Sequence, residues 1–398
     1  MTQPVNTWRE LARSLADGLR GSGDLTDPAW LAAFAETPRH VFVPRFLLTV
    51  GGPELSAAVD PEPWLKAVYS DHALTTEHRP HPAGWTTTDG AVLSLPTSSS
   101  TSPGLMARMV ERLEVRTGHR VLEIGTGTGY NAALLCHRLG ADKVVSVDLN
   151  PDLITTARNA LATLGYTPVL VVGDGGDGVP DHGPYDRIIA TAAVPAIPAA
   201  WIDQLAPGGK IIANVRGELA TGPLCLLTKA GEKVSGRFLP MGGHFMWMRP
   251  EVDNPLRPHQ VASAATATPT ARSTTRLAPL PMVDDADFRF LLQLHIHGAE
   301  SLYRNEVMID GGRQPVVTLC ASDGSRADVV AESTPAGTHH VVQRGRRRLW
   351  DTVETAWRVF ADSGRPDVGR FGVSVTSGEQ FVWLDQPSGW LRWPLPAV

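Results

Sequence analysis

Three glycines at alternate positions, Gly125, Gly127 and Gly129, interrupt the apolar run "VLEIGTGTGYNAALL". Where a buried strand feeds a helix through such a turn, the backbone can approach a ligand closely and the helix start presents free N–H groups to it. A dinucleotide-binding turn spaces its glycines as GxGxxG, whereas here the sixth position is Tyr130. Glu123, just before the loop, would set negative charge against a pyrophosphate but suits a ligand carrying an ammonium and a sulfonium. Further on, Asp148 ends "VVSVD", where a carboxylate can accept hydrogen bonds from ribose hydroxyls. Asp174 and Gly175 in "VVGDGGDG" stand at the next strand end, suited to an adenine amino group and ring. In this order the residues predict an S-adenosylmethionine pocket. Its expected contacts are Glu123, Gly125, Thr126, Gly127, Gly129, Tyr130, Asp148, Leu149, Asp174 and Gly175.

These residues need strands that end together. From 104 to 228 the pattern alternates helix and strand, and apolar β-branched runs such as "RVLEIG", "KVVSVDL", "YDRIIATAA" and "GKIIANV" predict parallel strands covered on both faces. The fold class expected is α/β, a Rossmann-like doubly wound sheet. Before it, 1–95 reads as a helical cap and lid region, with helices "TWRELARSLADGLR" and "DPAWLAAFAETPR", the second opened by Asp27 and Pro28. The core is expected over 96–253. Residues 254–279, rich in Ala, Thr, Pro and Ser, read as a linker. A small α+β domain over 280–398 is expected to form its own folding unit, with "FRFLLQLHIHG" as a strand, "LWDTVETAWRVFADSG" as a helix and "RFGVSVTSGEQFVWLDQP" as a hairpin turning at Ser377-Gly378.

Composition narrows the class. The chain of 398 residues carries a formal net charge of -5, which disfavours a phosphate-tracking surface, so nucleic acid is not an expected partner. No signal core or membrane-spanning run occurs, and Cys136, Cys225 and Cys320 form neither a CxxC pair nor an even disulfide set, so a cytoplasmic protein is expected. His295 and His297 would share a strand face but lack a third ligand, and no metal is assigned. Arg344, Arg346, Arg347 and Arg348 read as a solvated helix entrance that can also meet an acidic peptide. The tryptophans from Trp350 to Trp393 read as core or as a docking surface, and His244 and Trp247 in "MGGHFMWM" as core or as a cleft lid.

Several stretches, among them "AFAETPRHVFVP", "VYSDHAL", "SPGLMARMVERL", "VLEIGTGTGYNAALL" and "PYDRIIATAAVPAIPAAWIDQLAPGGKIIANV", resemble the protein L-isoaspartate O-methyltransferases over roughly residues 30 to 250. The resemblance implies carboxyl O-methylation and places the family's carboxylate-positioning hydroxyl at Thr101 of "TSP". The region reads "SLPTSSSTSPG", so Ser100 or Ser99 can supply the group instead, while Ser102 and Pro103 suit the cap of the following helix. A carboxylate is ionised at neutral pH, with a reference pKa of about 3.9 for Asp, and needs positioning rather than a base. The C-terminal sequence is similar to actinobacterial methyltransferases that accompany ribosomally made lanthipeptides and ATP-grasp-ligated graspetides. That likeness implies a precursor peptide, linear or already cyclised, whose aspartyl side chain is esterified and then closes to an aspartimide. General isoaspartyl repair is the alternative activity, and a catalytically silent peptide-binding module the alternative of another class.

Overall fold

The computed structural model describes residues 7–47, 53–80, 94–219, 222–249, 271–296, 298–309, 311–376 and 378–396. His297, Ser377 and 254–270 of the expected linker lie outside the described residues. The two expected N-terminal helices are α1 (Thr7–Gly21) and α2 (Pro28–Glu36), the latter capped by the Asp27 carboxylate, which accepts the Ala29 N–H at 2.8 Å. Helices α3 (Arg39–Phe42) and α4 (Pro61–Val68) follow. The region also contains an antiparallel sheet in the order β2-β1-β3-β4, built from β1 (Arg45–Leu47), β2 (Glu54–Ser56), β3 (Leu74–Pro80) and β4 (Ser94–Ser100). The hydroxyl run is therefore largely a strand. Pairing with β3, with Thr75 opposite Ser99, satisfies backbone groups that burial would otherwise strand away from water.

The core runs α5 (Pro103–Arg112), β5 (Val121–Ile124), α6 (Tyr130–Leu139), β6 (Val144–Asp148), α7 (Pro151–Thr163), β7 (Val169–Val172), β8 (Tyr185–Val194), α8 (Ala199–Asp203), β9 (Leu205–Val215), β10 (Pro223–Ala230) and β11 (Lys233–Gly242). Strands β5 to β9 are parallel, with β8 beside β5, so the winding reverses between these two. Side chains alternate along each strand. Val121, Val144 and Ile189 pack into one core with Leu15, Trp30, Met106 and Leu134 of the N-terminal helices, α5 and α6. Leu122, Val145 and Ile188 belong to a second core on the other face, with Trp201 and, from the far end of the chain, Phe288, Leu291, Trp350 and Phe360.

That second core corrects the expected domain division. The C-terminal elements are β12 (Ala271–Thr275), α9 (Pro279–Asp284), α10 (Ala286–His295), β13 (Ala299–Ile309), β14 (Gly312–Ala321), β15 (Arg326–Val330), β16 (His339–Arg344), α11 (Leu349–Asp362), β17 (Phe371–Val375), β18 (Gln380–Leu384) and β19 (Arg392–Pro394). Strand β12, inside the expected linker, pairs with β16 in a five-stranded antiparallel sheet, β12-β16-β15-β14-β13. Strand β17 pairs antiparallel with β11, so β17 to β19 extend the central sheet to ten strands. The stretch "FRFLLQLH" is helix α10, not a strand. Phe288, Phe290, Leu292 and Leu294 alternate with Arg289, Gln293 and His295 and so mimic a strand period, but the Asp285 carboxylate starts a helix by accepting the Phe288 N–H at 2.9 Å. The expected hairpin and the expected helix at 349 are present as β17–β18 and α11. Among the described residues no helix is long and apolar enough to cross a membrane.

Candidate active site

A cavity of about 320 Å³ opens at the C-terminal ends of β5, β6 and β8, where the winding reverses and open α/β sheets bind ligands. Its floor is the glycine loop. The Gly125 and Thr126 N–H groups donate to the Val147 carbonyl at 2.9 and 3.2 Å, which ties the loop to β6. Gly127 has φ +52 and lines the cavity, where the nearest atom to an added Cβ would be the Ser99 carbonyl oxygen at 3.6 Å. Gly129 serves packing instead: a Cβ there would sit 2.8 Å from that of Ala157, and Gly129 does not line the cavity.

Glu123 is fully buried beneath the loop and also lies off the cavity wall, so it is not the direct ligand contact expected. Its carboxyl accepts hydrogen bonds from Asn131 Nδ2 at 2.7 Å and Ser146 Oγ at 2.6 Å, and Ser146 Oγ is paired in turn with Thr126 Oγ1 at 2.6 Å. Burial pushes its pKa up to about 7, opposed by the Ser146 and Asn131 hydrogen bonds. Glu123 therefore holds β5, β6, α6 and the loop together. Asp148 does line the cavity; its Oδ2 accepts the Gly127 N–H at 2.8 Å and its Oδ1 the Asn150 N–H at 3.0 Å. Leu149, Tyr130, Thr126 and Gly175 line it as well, whereas Asp174 stands back and accepts the Gly176 N–H of its own turn at 2.8 Å.

Strand β4 and the residues after it form the opposite wall, from Thr97 to Ser102. Alternate residues of a strand share a face. The even-numbered hydroxyls are engaged inside the protein: Thr76 donates to Ser98 Oγ at 3.1 Å, and Arg39 reaches Ser100 Oγ at 3.4 Å. Ser99 and Thr101, both half-buried, make no side-chain hydrogen bond among the described residues. Arg39 is fully buried and donates to the carbonyls of Val68 at 2.7 Å, Ser70 at 3.0 Å, His72 at 3.1 Å and Thr101 at 3.1 Å. Burial pulls its pKa down to about 10, so it stays charged at neutral pH and staples β4 to the α4–β3 turn. Ser102 occupies the cap position of α5 but makes no capping hydrogen bond. Asp71 takes that role, its Oδ1 accepting the Gly104 N–H at 2.6 Å.

The segment 242–249, within the stretch read as core or as a cleft lid, lines the third side of the cavity. It docks on the end of β8, where the Ala193 N–H donates to the Met246 carbonyl and the Met248 N–H to the Ala193 carbonyl, both at 2.8 Å. Arg216 lies 4.9 Å from the centre of the Trp247 ring. Arg39, Asp71, Asn131 and Arg249 were not singled out from the sequence. An arginine or aspartate beside a helix carries no motif until the chain folds over it.

The residues present fit S-adenosylmethionine. Besides Asp148 and the open face at Gly127, Thr97 Oγ1, Tyr130 Oη and Asn131 Oδ1 are buried polar atoms of lining residues that have no hydrogen-bond partner among the described residues. Such atoms are costly unless a ligand or water meets them. Elsewhere, His295 lies at the end of α10, its Nδ1 paired with the Leu291 carbonyl and its Nε2 accepting from Trp393 Nε1. Among the described residues no cluster of three His, Cys, Asp or Glu is placed for a metal. Of the arginine run, Arg344 pairs with the buried Asp328 at 2.6 Å and Arg347 with Asp323 at 3.3 Å. Trp350, Trp383 and Trp393 are buried, whereas Trp390 is 86% exposed.

Residues 64–238 match the family model "Protein-L-isoaspartate(D-aspartate) O-methyltransferase (PCMT)". A protein-L-isoaspartate O-methyltransferase of Methanoculleus marisnigri is 40% identical over 57% of this chain and 88% of its own length. One from Roseiflexus castenholzii is 36% identical over 59% of this chain and 93% of its own. A solved structure of a protein-L-isoaspartate O-methyltransferase superposes with a TM-score of 0.51 at 22% identity, covering 95% of this chain and all of that one. The fold is thus that of class I S-adenosylmethionine-dependent methyltransferases, with an additional C-terminal sheet region. By fold, by the extent of the matched sequence and by the glycine loop at the sheet's switch point, this chain belongs to the protein-L-isoaspartate O-methyltransferase family.

Proposed function

We propose that this protein transfers a methyl group from S-adenosylmethionine to the carboxylate of an isoaspartyl or aspartyl residue in a protein or peptide. The observation that carries this reading is a shared cavity in which the glycine loop, with Asp148 fixed by two backbone N–H groups, lies across from the hydroxyl strand β4. Asp148, Leu149, Gly125, Gly127 and Gly175 would hold the cofactor, and Tyr130, Asn131 and Thr97 would gain partners from it. When bound, S-adenosylmethionine supplies a methyl group on a sulfonium, which an ionised carboxylate attacks without a base. The chain's own work is then to orient the acceptor oxygen and exclude water. Thr101 and Ser99 suit donation to that oxygen, Ser100 faces Arg39, and Arg39 acts through the strand it staples.

A narrower reading is a dedicated ribosomally made precursor of the lanthipeptide or graspetide kind, with an ordinary aspartyl residue as acceptor. What favours it is the way the C-terminal region braces the cavity end of the sheet. Gln380 exchanges two hydrogen bonds with the Ile197 backbone, at 3.0 and 2.6 Å, and Gln293 accepts the Gly217 N–H at 3.1 Å. General isoaspartyl repair draws support from the relatives' names. Matched short peptides carrying L-isoaspartate or aspartate separate the two, with products followed by mass. Esterification of the isoaspartyl peptide alone supports repair. Gain of a methyl group on the aspartyl peptide, then loss of methanol as the next backbone nitrogen displaces it, supports the narrower reading, with hydroxylamine trapping the imide. A methyl group on nitrogen or carbon, or cofactor binding without transfer, would refute carboxyl methylation.

A further inference from the structure

His244 stands in a left-handed conformation, φ +50, which side-chain-bearing residues adopt rarely and at a cost. Two glycines, Gly242 and Gly243, precede it, so residues suited to that conformation lie directly beside it in the chain. The turn is held from below. Asn214, fully buried, donates to the carbonyls of Gly222 at 2.8 Å and Pro223 at 3.2 Å, and its Oδ1 accepts the Phe245 N–H at 3.4 Å. None of these bonds involves the imidazole. His244 is exposed, lines the cavity and makes no hydrogen bond among the described residues. Among the described lining residues the one carboxylate is Asp148, on the cofactor side of the cavity, where it accepts two backbone N–H groups.

We propose that His244 is an acceptor-recognition residue, its imidazole N–H donating a hydrogen bond to the carboxylate of the incoming aspartyl or isoaspartyl residue. A rigid strap presents the ring to the cavity, and the backbone strain is retained because the side chain is needed there. The inference rests on the carboxyl-transfer reading above. The discriminating variant is His244→Gly, which removes the ring and relieves the backbone, so a purely structural role predicts an equal or higher Tm and unaltered substrate handling. Binding of the short isoaspartyl and aspartyl peptides is measured by calorimetry with S-adenosylhomocysteine present, beside steady-state kinetics. Peptide affinity is expected to fall roughly tenfold to a hundredfold, as for a lost hydrogen bond to a charged group. KM should rise by a similar factor with kcat much less affected, and cofactor affinity should be unchanged. His244→Asn, which tolerates the left-handed region and keeps an N–H donor, should recover part of the loss. Equal peptide affinity in the wild type and the glycine variant would overturn the role of His244 while leaving the transfer reading intact. Peptide binding by the wild type without transfer would sink the transfer reading alone, and no binding of either peptide would sink both.

Discussion

At the scale of single residues, the proposed transfer rests on two hydroxyls, Thr101 and Ser99, that would orient the acceptor and on Asp148, which would hold the cofactor. Thr101→Val keeps the shape of the side chain and deletes its donor, and loss of a hydrogen bond to a charged acceptor in the transition state lowers kcat/KM roughly tenfold to a hundredfold. Ser99→Ala should also slow transfer, whereas Ser100→Ala should change the rate less, because Ser100 Oγ faces Arg39. Initial rates on a methyl-accepting peptide check the order. Asp148→Ala should weaken cofactor binding by about 1.5 to 3 kcal/mol for each charge-assisted hydrogen bond lost, read by calorimetry. Part of that loss will be loop order, since the same carboxylate fixes the Gly127 N–H. The glycine spacing and Asp148 were legible because both sit at fixed distances along a strand–turn–helix unit. Which of the six hydroxyls are engaged inside the protein was not, because it depends on β4 pairing with β3 and on Arg39 arriving from another element.

Between elements, the buried Glu123 network is the main polar junction of β5, β6, α6 and the glycine loop. Its pKa is raised in the fold to about 7, above the ordinary value of 4.5, by burial. Between these values the folded state binds more protons than the unfolded chain, so this group's contribution to stability is full below about 4.5 and declines as pH rises through about 7. Glu123→Gln removes the titration. The stability of the wild type relative to this variant should therefore fall between pH 5 and pH 8, by at most about 1.4 kcal/mol per pH unit. Urea unfolding of both proteins across that range measures it, and parallel stability curves would contradict the assignment. The sequence placed Glu123 at the ligand because an acid before a glycine loop has the same pattern whether its side chain faces the cavity or the strand beneath.

For the whole molecule, the C-terminal region behaves as a layer of one core rather than as a module. Phe290 packs between Phe238 of the central sheet, at 4.9 Å, and Phe371, at 5.2 Å. Phe290→Ala should cost about 3 to 5 kcal/mol and lower a single melting transition, where a separable domain would melt independently. Deleting residues 271–398 removes Phe288, Leu291, Trp350 and Phe360 from the face shared with Leu122, Val145 and Ile188. The truncated chain should lose its cooperative melt and its cofactor affinity together, as scanning calorimetry and titration would reveal. A soluble truncated protein that still binds S-adenosylmethionine would restore the two-unit division expected from the linker-like composition.

Residues close in the chain, read with periods of two and 3.6, suffice for the doubly wound sheet, the glycine loop and the carboxylate that ends β6. Helix α10 shows where that limit falls, because the alternation of Phe288, Phe290, Leu292 and Leu294 with Arg289, Gln293 and His295 fits a strand period as well. The pairing of β17 with β11, the Arg39 staple on the hydroxyl strand and the left-handed turn at His244 beside the cavity arise once the chain is folded. Each of these joins residues far apart in sequence, where the choice rests on burying a shared apolar face and pairing backbone groups, and no local pattern records which distant partner does so.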